Sequence, residues 1–414
     1  MAIVLVGTLD TKGNEYRFLR DLLHQAGAET IVIDAGVLGP PVFPPDITRE
    51  TVFEAAGTTY QAVAQAGDRG QAVTLAAKGV ALLVSDLYKQ GKVNGVLGLG
   101  GSAGTTIATS AMRALPVGIP KLMVSTLASG QVKNYVGVRD ICMMYSVVDI
   151  SGLNRISRQV LSNAAFAMLG MVQGRQRYAA SIAQEHKPLV TATMFGVTTP
   201  CVERARRIVE EAGYEVLVFH ATGVGGQTME SFIADGIVSG VLDITTTELA
   251  DELVGGILSA GPDRLTAAGL YGVPQVISVG ALDMVNFGPP DTVPSKFLGR
   301  RFYQHNPNVT LMRTTPEENE KLGKEIAFKA SAAKGPTAIV LPLRGVSAID
   351  AEGKPFWWPE ADRALFDSIR HWLAPHVELI ELDMHINDPA FADACARKLL
   401  ELMAHQRVPT AEAK

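Results

Sequence analysis

One order of elements occurs twice in this sequence and limits the possible folds more than any other feature. The opening stretch, AIVLVGTLDTKGNEYRFLRDLLHQAGAETIVIDAG, reads as an apolar strand, a turn with threonine, an amphipathic helix, a glycine and a second strand. The stretch LVTATMFGVTTPCVERARRIVEEAGYEVLVFHATG, which begins at residue 189, follows the same order. Apolar strands that alternate with helices indicate a parallel sheet covered on both faces. The repeat therefore predicts two related, doubly wound, Rossmann-like α/β domains with mainly parallel sheets.

The length and composition agree with two domains. The chain has 414 residues, of which 47% are hydrophobic and 19% charged, enough apolar material for two sizeable cores. The polar segment SIAQEHKP, which ends in proline, separates the two halves. We therefore predict an N-terminal domain over residues 1–183 and a C-terminal domain over residues 187–408.

Charge and cysteine content disfavour several classes of protein. The formal net charge is −5 and no basic block is longer than a pair, which argues against a nucleic-acid-binding surface. No stretch reaches the ~18 consecutive apolar residues of a membrane span, and the apolar start is interpreted as a strand rather than a signal peptide. Cys142, Cys201 and Cys395 are scattered, which disfavours disulfides and a cysteine zinc site and favours a reducing cytoplasm.

A loop rich in glycine and hydroxyl residues follows the predicted strand VNGVLGLG. Glycines allow the backbone to approach a ligand, hydroxyls add donors, and the start of the next helix offers N–H groups with a partial positive charge. The dinucleotide fingerprint matches only loosely, because it belongs after a first strand, and the lysine of a Walker A loop is absent. We predict a phosphate or carboxylate site, or else a tight strand–helix turn, formed by Gly100, Gly101, Ser102, Gly104, Thr105 and Thr106.

Polar residues also follow the other strands of the first domain. In an open parallel sheet, ligands bind beyond the carboxyl ends of the strands. Lys12 suits a phosphate, Asp10 a metal ion or a hydroxyl, and Asp34 the hydroxyls of a ribose. Helix capping and turn formation are the alternative roles for such acids. Together the strand ends predict a nucleotide site that includes Thr8, Asp10, Thr11, Lys12, Asp34, Gly36, Thr126, Ser129 and Gly130.

Four segments in this order, GTLDTKG, VLGLGGSAGTT, FGVTTPCV and GVGGQT, resemble the Tm-1-like ATP-binding family. That family includes a plant protein that confers resistance to tobamovirus replication and, for the most part, uncharacterised bacterial proteins. The resemblance covers about residues 2 to 405 and implies a two-domain α/β protein that binds ATP with Mg2+ and forms a homodimer. It carries the nucleotide role onto Thr8, Asp10, Thr11 and Lys12, onto Gly100–Thr106 and onto Thr126–Gly130, with Asp10 as a candidate ligand of Mg2+.

The second domain offers residues suited to catalysis. Cys201, at the start of a predicted helix, is a candidate nucleophile or else a small core residue. Arg301 can clamp a carboxylate, and His220 or His305 can move protons. A metal site formed by these histidines and Asp243 lacks the usual ligand spacing, so no metal ligand is assigned there.

The residues support two hypotheses. In the leading one, the first domain holds Mg-ATP as a ligand or regulator, with a reaction that the sequence does not define. In the alternative, the chain is a metabolic enzyme that acts on a small oxo- or hydroxy-acid, with its centre in the C-terminal domain or the interdomain cleft. A second predicted anion-binding loop, Gly223–Thr228, suits such a carboxylate metabolite.

Overall fold

The computed structural model describes residues 2–130, 132–181 and 187–406. The chain folds as two compact units, Met1–Glu185 and His186–Lys414. Each unit is built on a parallel sheet with helices packed against it, which confirms the predicted fold class. The predicted domain ends at residues 183 and 408 lie outside the described residues.

The first unit contains five parallel strands and seven described helices. The strands are β1 (Ala2–Gly7), β2 (Thr30–Asp34), β3 (Val93–Gly100), β4 (Lys121–Ser125) and β5 (Cys142–Tyr145). The helices are α1 (Leu9–Gln25), α2 (Arg49–Ala55), α3 (Tyr60–Ala66), α4 (Arg69–Lys89), α5 (Ser102–Arg113), α6 (Lys133–Val136) and α7 (Arg155–Ser181). The strands lie in the order β2-β1-β3-β4-β5.

Alternate side chains of the central strands enter two separate cores, one on each face of the sheet. Val4 and Val6 of β1 pack in a cluster with α2, α4 and α5, whereas Ile3 and Leu5 pack in a cluster with α1 and α7. Successive residues of a strand point to opposite faces, so a strand that is apolar throughout must be covered on both. This burial explains why β1 and β3 read as continuous apolar runs.

The sheet splits at one place, where the carboxyl ends of β1 and β3 part. The ladder between them ends at Val6 and Gly98, although β3 stays paired with β4 as far as Gly100. The Tyr16 hydroxyl lies in the gap, where it accepts a hydrogen bond from the Leu99 N–H (2.9 Å) and donates to the Val6 carbonyl. Its backbone partners therefore stay satisfied although the strands have separated.

The second unit has a larger parallel sheet and a small antiparallel one. The parallel strands are β6 (Leu189–Met194), β7 (Glu215–His220), β8 (Val238–Thr245), β9 (Gln275–Gly280), β13 (Thr337–Pro342) and β14 (Glu378–Leu382), in the order β14-β13-β9-β8-β6-β7. The antiparallel strands are β10 (Met284–Phe287), β11 (Phe302–Asn306) and β12 (Val309–Arg313). The helices are α8 (Thr199–Glu211), α9 (Val224–Ala234), α10 (Thr247–Val254), α11 (Ala267–Tyr271), α12 (Pro316–Ser331), α13 (Pro359–Trp372) and α14 (Pro389–Gln406).

The repeat seen in the sequence is also a repeat of topology. In both units the first strand lies between the second and the third, as β2-β1-β3 and as β7-β6-β8. The register slips at the same place, between Ala2 and Ile3 in one unit and between Leu189 and Val190 in the other. The antiparallel sheet has no counterpart in the described residues of the first unit. Its mostly exposed strand β11 was not predicted from the polar stretch FYQHN.

Helix α4 is the one helix in the described part of the chain that is long and apolar enough, by length and composition alone, to cross a membrane. Ala72, Ala76, Val80 and Val84 of this helix are buried in the apolar core of the first unit. Asp68 caps its start by accepting a hydrogen bond from the Gln71 N–H. These contacts are those of a helix in the core of a domain.

We expect Tyr16→Phe to destabilise the first unit by about 1–3 kcal/mol, because the Leu99 N–H would stay buried without a partner. Tyr145→Phe is the matched control, since Tyr145 is 43% exposed. The stability of the first unit in both variants is measured by unfolding the full chain in urea, with hydrogen exchange of peptides from residues 2–130 as the probe. Equal stabilities of the two variants would contradict the role given to the Tyr16 hydroxyl.

Candidate functional site

A cavity of about 360 Å³ opens where β1 and β3 part. A volume of this size suits a small-molecule ligand, and the gap is the topological switch point at which ligands bind in doubly wound sheets. The cavity lies between the two loops that leave these strands. Nine of the predicted nucleotide-binding residues line it: Thr8, Asp10, Thr11, Lys12, Gly100, Gly101, Ser102, Ala103 and Gly104.

The three glycines of the second loop have different physical roles. A Cβ on Gly100 would lie 2.9 Å from the Gly104 Cα, and one on Gly104 would lie 3.0 Å from the Leu99 carbonyl oxygen. These two glycines are therefore needed for the close packing of β3 on α5. A Cβ on Gly101 would meet only the Thr126 hydroxyl, at 3.7 Å. Packing does not require glycine at 101, and its absent side chain leaves the start of α5 open to a ligand.

The start of α5 has the chemistry of an anion site. Gly101, which has no side chain, is the N-cap residue of this helix. Ser102 is the first helical residue and is exposed. The first N–H groups of an α-helix have no partner inside the helix and carry a partial positive charge. The helix has 12 residues and lines the cavity with its first turn. Phosphate oxygens are the ligands that such a terminus favours.

The loop after β1 supplies hydroxyls and an ammonium group. The hydroxyls of Thr8 and Thr11 are 2.8 Å apart and hydrogen-bond to each other. Lys12 leaves helical geometry (φ −123°, ψ 17°), so α1 is kinked there. The half-buried Lys12 ammonium donates a hydrogen bond to the Ile150 carbonyl. No other residue that the structure describes accepts a hydrogen bond from it, which leaves two of its three N–H donors for a ligand in the cavity.

The Asp10 carboxylate has one oxygen with hydrogen-bond partners and one that is buried without any in the described part of the chain. Oδ2 accepts hydrogen bonds from the Leu38 N–H (2.7 Å) and the Gly39 N–H (3.4 Å). Oδ1 is buried and has no hydrogen-bond partner among the described residues. Gly36 makes room for this carboxylate, because a Cβ there would lie 2.5 Å from its carbon. An unpaired buried oxygen is costly unless a ligand, a cation or a proton satisfies it.

Asp10 alone can bind Mg2+ when phosphates supply further oxygen ligands to the ion. Mg2+ keeps several waters and is usually bound by one or two carboxylates together with substrate phosphates. Within the described residues, no group of three or more His, Cys, Asp or Glu side chains could hold a metal ion. Asp10 therefore suits Mg2+ bound to a nucleotide rather than an ion held by the protein alone.

Several predicted site residues lie outside the cavity lining. The Asp34 carboxylate is paired with Arg49 (2.6 Å) and accepts the Leu9 N–H (2.9 Å), so it holds the strand ends instead of a ribose. The Thr105 hydroxyl bonds to Ser125 (2.7 Å) in the core. Gly36 packs on Asp10, and the Thr106 hydroxyl donates a hydrogen bond to the Ser102 carbonyl. The remaining predicted residues outside the lining are Thr126, Ser129 and Gly130.

One wall of the cavity was not found from the sequence. Residues of the corner between α3 and α4, together with Val37, Leu38 and Ile107, give it a largely apolar surface. Arg69 and Asp149 also line the cavity, and both are exposed. The sequence marks this corner by the pair Gly67 and Asp68, a glycine in the left-handed conformation followed by a helix N-cap. Such a pair predicts a turn, but it does not predict that the turn lies beside the cavity. The lining from this corner is Val63, Ala64, Gly67, Asp68, Arg69, Ala72 and Val73.

The corresponding place in the second unit is filled by a side chain. The buried Glu248 carboxylate accepts hydrogen bonds from the N–H groups of Gly223 (2.7 Å) and Gly226 (3.0 Å) at the start of α9. The Arg264 Nε–H donates to it as well, at 2.6 Å. The predicted anion-binding loop Gly223–Thr228 thus binds an anion, but the anion belongs to the protein itself.

Further buried contacts close this crevice. The Arg264 guanidinium binds both oxygens of Asp243, at 2.5 and 2.6 Å, and reaches Glu230 at 3.3 Å. The hydroxyls of Thr198 and Thr245 bond across the strand ends at 2.7 Å. Bidentate Arg–carboxylate pairs are strong and geometrically specific. Both Asp243 oxygens are therefore engaged by Arg264 in the interior.

The catalytic candidates of the second unit do not form one centre. Burial raises the pKa of the Cys201 thiol to about 12, and Cys201 packs in an apolar core, which makes it a structural residue and not a nucleophile. His220 is exposed and lies against the Phe195 ring, with centroids 5.4 Å apart. His305 is exposed on β11. Arg301 lies over the Trp358 ring at 5.0 Å.

A second cavity, of about 320 Å³, lies beside α13 in the second unit. Arg344, Arg363 and Arg370 line it, but each is paired with a carboxylate, of Asp383, Glu360 and Glu381 respectively. Nearby, Arg313 is surrounded by Asp283, Asp350 and Asp362, and burial raises the pKa of Asp283 to about 8 and that of Asp362 to about 7. The charges of this region are balanced internally, so it is a weak site for an added anion.

Comparison with known proteins identifies the family. Residues 1–177 match the N-terminal domain of the uncharacterised protein family UPF0261, and residues 187–403 match its C-terminal domain. The chain belongs to this family. A UPF0261 protein of Clostridium tetani (strain Massachusetts / E88) is 52% identical over 402 residues, which cover 97% of this chain and 98% of that protein.

Two tomato proteins are also related to this UPF0261 chain. The ToMV susceptible protein tm-1(GCR26) of Solanum lycopersicum is 45% identical over 356 residues, which cover 84% of this chain and 47% of the tomato protein. The ToMV resistance protein Tm-1(GCR237) is 45% identical over 346 residues, which cover 82% of this chain and 45% of the tomato protein. The predicted relation to the Tm-1-like family is confirmed.

Solved structures add little to the UPF0261 fold. A UDP-N-acetylglucosamine 2-epimerase from Rickettsia bellii overlaps 66% of this chain and 78% of its own, with 10% identity and a TM-score of 0.24. A TM-score this low carries no argument about fold or function.

We expect Glu248→Ala to destabilise the second unit by about 3–5 kcal/mol, because it leaves the buried Arg264 and two N–H groups without their partner. Glu252→Ala is the matched control: this exposed carboxylate accepts a hydrogen bond from the Ser259 hydroxyl, and its loss should cost about 1 kcal/mol or less. Urea unfolding of the full chain compares the two variants. A loss of stability as small for Glu248→Ala as for the control would show that the crevice does not depend on this internal anion.

Proposed function

We propose that the first unit binds ATP together with Mg2+ in the cavity between β1 and β3. The observation that carries the proposal is an open switch point with an uncapped helix start, Gly101–Ser102, on one side and the Lys12 ammonium on the other. Both groups favour negative charge, and they face the same space. A polyphosphate is the ligand that satisfies both at once.

The phosphates would lie against the start of α5. The N–H groups of the first turn and the Ser102 hydroxyl would donate to phosphate oxygens, and Gly101 lets the backbone approach them. Lys12 would contact the same phosphates from the opposite loop with the donors that Ile150 leaves available. Arg69, exposed at the rim of the cavity, adds a second cation that can bind phosphate with two N–H groups.

The base would lie on the apolar wall. Val63, Val73 and Ile107, together with Leu38, offer aliphatic side chains on which a flat aromatic ring can pack. Leu38 is 80% exposed, so its side chain is accessible to a ligand in the cavity. This arrangement separates the polar and apolar halves of a nucleotide along the cavity.

Asp10 would hold Mg2+ on the phosphates. Its buried, unpaired Oδ1 would provide one oxygen ligand once the carboxylate turns toward the cavity, and water and phosphate oxygens would complete the coordination. When bound, the ion neutralises phosphate charge. We further propose that the protein works in the cytoplasm as a homodimer that uses ATP as a ligand or regulator.

The alternative, a metabolic enzyme for a small oxo- or hydroxy-acid centred in the second unit, has less support. Cys201, His220, His305 and Arg301 line none of the 320 Å³ cavity. The loop suited to a carboxylate already binds Glu248. No observation of the second unit favours an added substrate as strongly as the cavity of the first unit favours a nucleotide.

Calorimetric titration of the full chain with Mg-ATP tests the proposal. We expect micromolar binding with one site per chain, and a loss of affinity of about a hundredfold or more in Lys12→Ala/Ser102→Ala, which removes two phosphate donors. The matched control is Lys89→Ala/Ser110→Ala, because these residues belong to the same unit and lie outside the cavity lining. Absence of binding to the wild type, or equal affinity in the two double variants, would overturn the proposal.

A further inference from the structure

The loop after β5 contacts the proposed site through a hydrogen bond with the Lys12 ammonium. Residues 147–152, termed the rim loop, connect β5 to α7 and contribute Asp149 to the cavity lining. The Ile150 carbonyl accepts a hydrogen bond from the Lys12 ammonium, and the Ile150 side chain is buried in the core. The rim loop therefore fixes the position of the lysine that faces the cavity.

The conformation of the rim loop is imposed on it by its surroundings. Val147 adopts a positive φ of 66°, and the Val148 N–H bonds to the Ser146 carbonyl at 2.7 Å, which makes a tight turn around Val147. A β-branched residue rarely adopts this geometry, and such turns persist only where neighbouring contacts hold them. Contacts outside the turn must supply that restraint.

One of those contacts comes from a residue outside the cavity. Glu15 is 2% exposed, does not line the cavity, and accepts a hydrogen bond from the Gly152 N–H at 2.7 Å. It lies on α1, one turn after Lys12. The Glu15 carboxylate thus binds one end of the rim loop, at Gly152. The middle of the same loop binds the Lys12 ammonium, at Ile150.

We propose that Glu15 is a positioning residue for the phosphates of the nucleotide, and that it acts through the rim loop on Lys12. The contact chain runs from the Glu15 carboxylate to the Gly152 N–H, and from the Ile150 carbonyl to the Lys12 Nζ. Glu15 makes no contact with the ligand. The inference rests on the proposed ATP site, since it concerns the group that meets the phosphates.

Binding of ATP and of adenosine to four variants tests this inference. Glu15→Leu removes the acceptor with an apolar side chain suited to a buried position, whereas Glu15→Gln keeps a carbonyl oxygen that can accept the Gly152 N–H. We expect Glu15→Leu to weaken ATP binding about tenfold and Glu15→Gln to restore it to near the wild-type value. Adenosine, which has no phosphate, should bind equally well to both.

The dependence on Lys12 distinguishes positioning from general loss of structure. In the Lys12→Met background, Glu15→Leu should cause no further loss of ATP affinity, because its effect passes through the absent ammonium. Additive losses, or weaker adenosine binding in Glu15→Leu, would overturn the inference while leaving the ATP site in place. Absence of ATP binding to the wild type would instead remove the proposed function itself.

A measurement on the wild type covers the case in which Glu15→Leu does not fold. Saturating Mg-ATP should slow hydrogen exchange in the rim loop by about tenfold. The phosphates would fix the Lys12 ammonium, and the ammonium would in turn restrain the loop through the Ile150 carbonyl. Saturating adenosine should leave exchange in the loop unchanged. Equal protection by both ligands, or none by ATP, would contradict the coupling between Lys12 and the rim loop.

Discussion

The parting of β1 from β3 is the constraint on which the candidate site depends. The Tyr16 hydroxyl fills the gap, and Gly7 has no room for a side chain because a Cβ would lie 2.1 Å from the Tyr16 ring. The neighbouring ladders continue to the ends of their strands, so the sheet opens only here. The two loops that line the cavity both leave from this opening. Topology thus sets the position of the site, and the loops set its chemistry.

The two units show two outcomes of one topology. The segments VNGVLGLGGSAG and VSGVLDITTTEL occupy equivalent places, so Gly98 corresponds to Asp243 and Ala103 to Glu248. In the second unit those carboxylates meet Arg264 and the start of α9, and the crevice is packed shut. In the first unit the same positions carry small residues and the crevice is open. The crevice that is open in the first unit is therefore filled in the second by a carboxylate, which binds the start of α9, the helix after the second strand of that unit.

The sequence predicts the repeated α/β fold well because apolar strands buried on both faces leave a strong pattern. It also finds the two loops of the site, since strand ends are recognisable and parallel strands bring them to one edge. It does not find the α3–α4 corner, whose place beside β3 depends on long-range packing. It does not decide between the alternative roles of groups such as Asp34 and Cys201, because partners distant in the chain, Arg49 and the core around Cys395, determine whether a polar or reactive group is available.

Photo-labelling of the full chain with 8-azido-ATP, followed by peptide mapping, tests the central claim most directly. The label is carried on the base, which should lie on the apolar wall of the cavity. The account predicts one label per chain, within residues 37–38 or 60–73 or at Ile107, and competition by Mg-ATP. Specific labelling confined to residues 187–406 would contradict it, because the second unit has its equivalent crevice filled by Glu248.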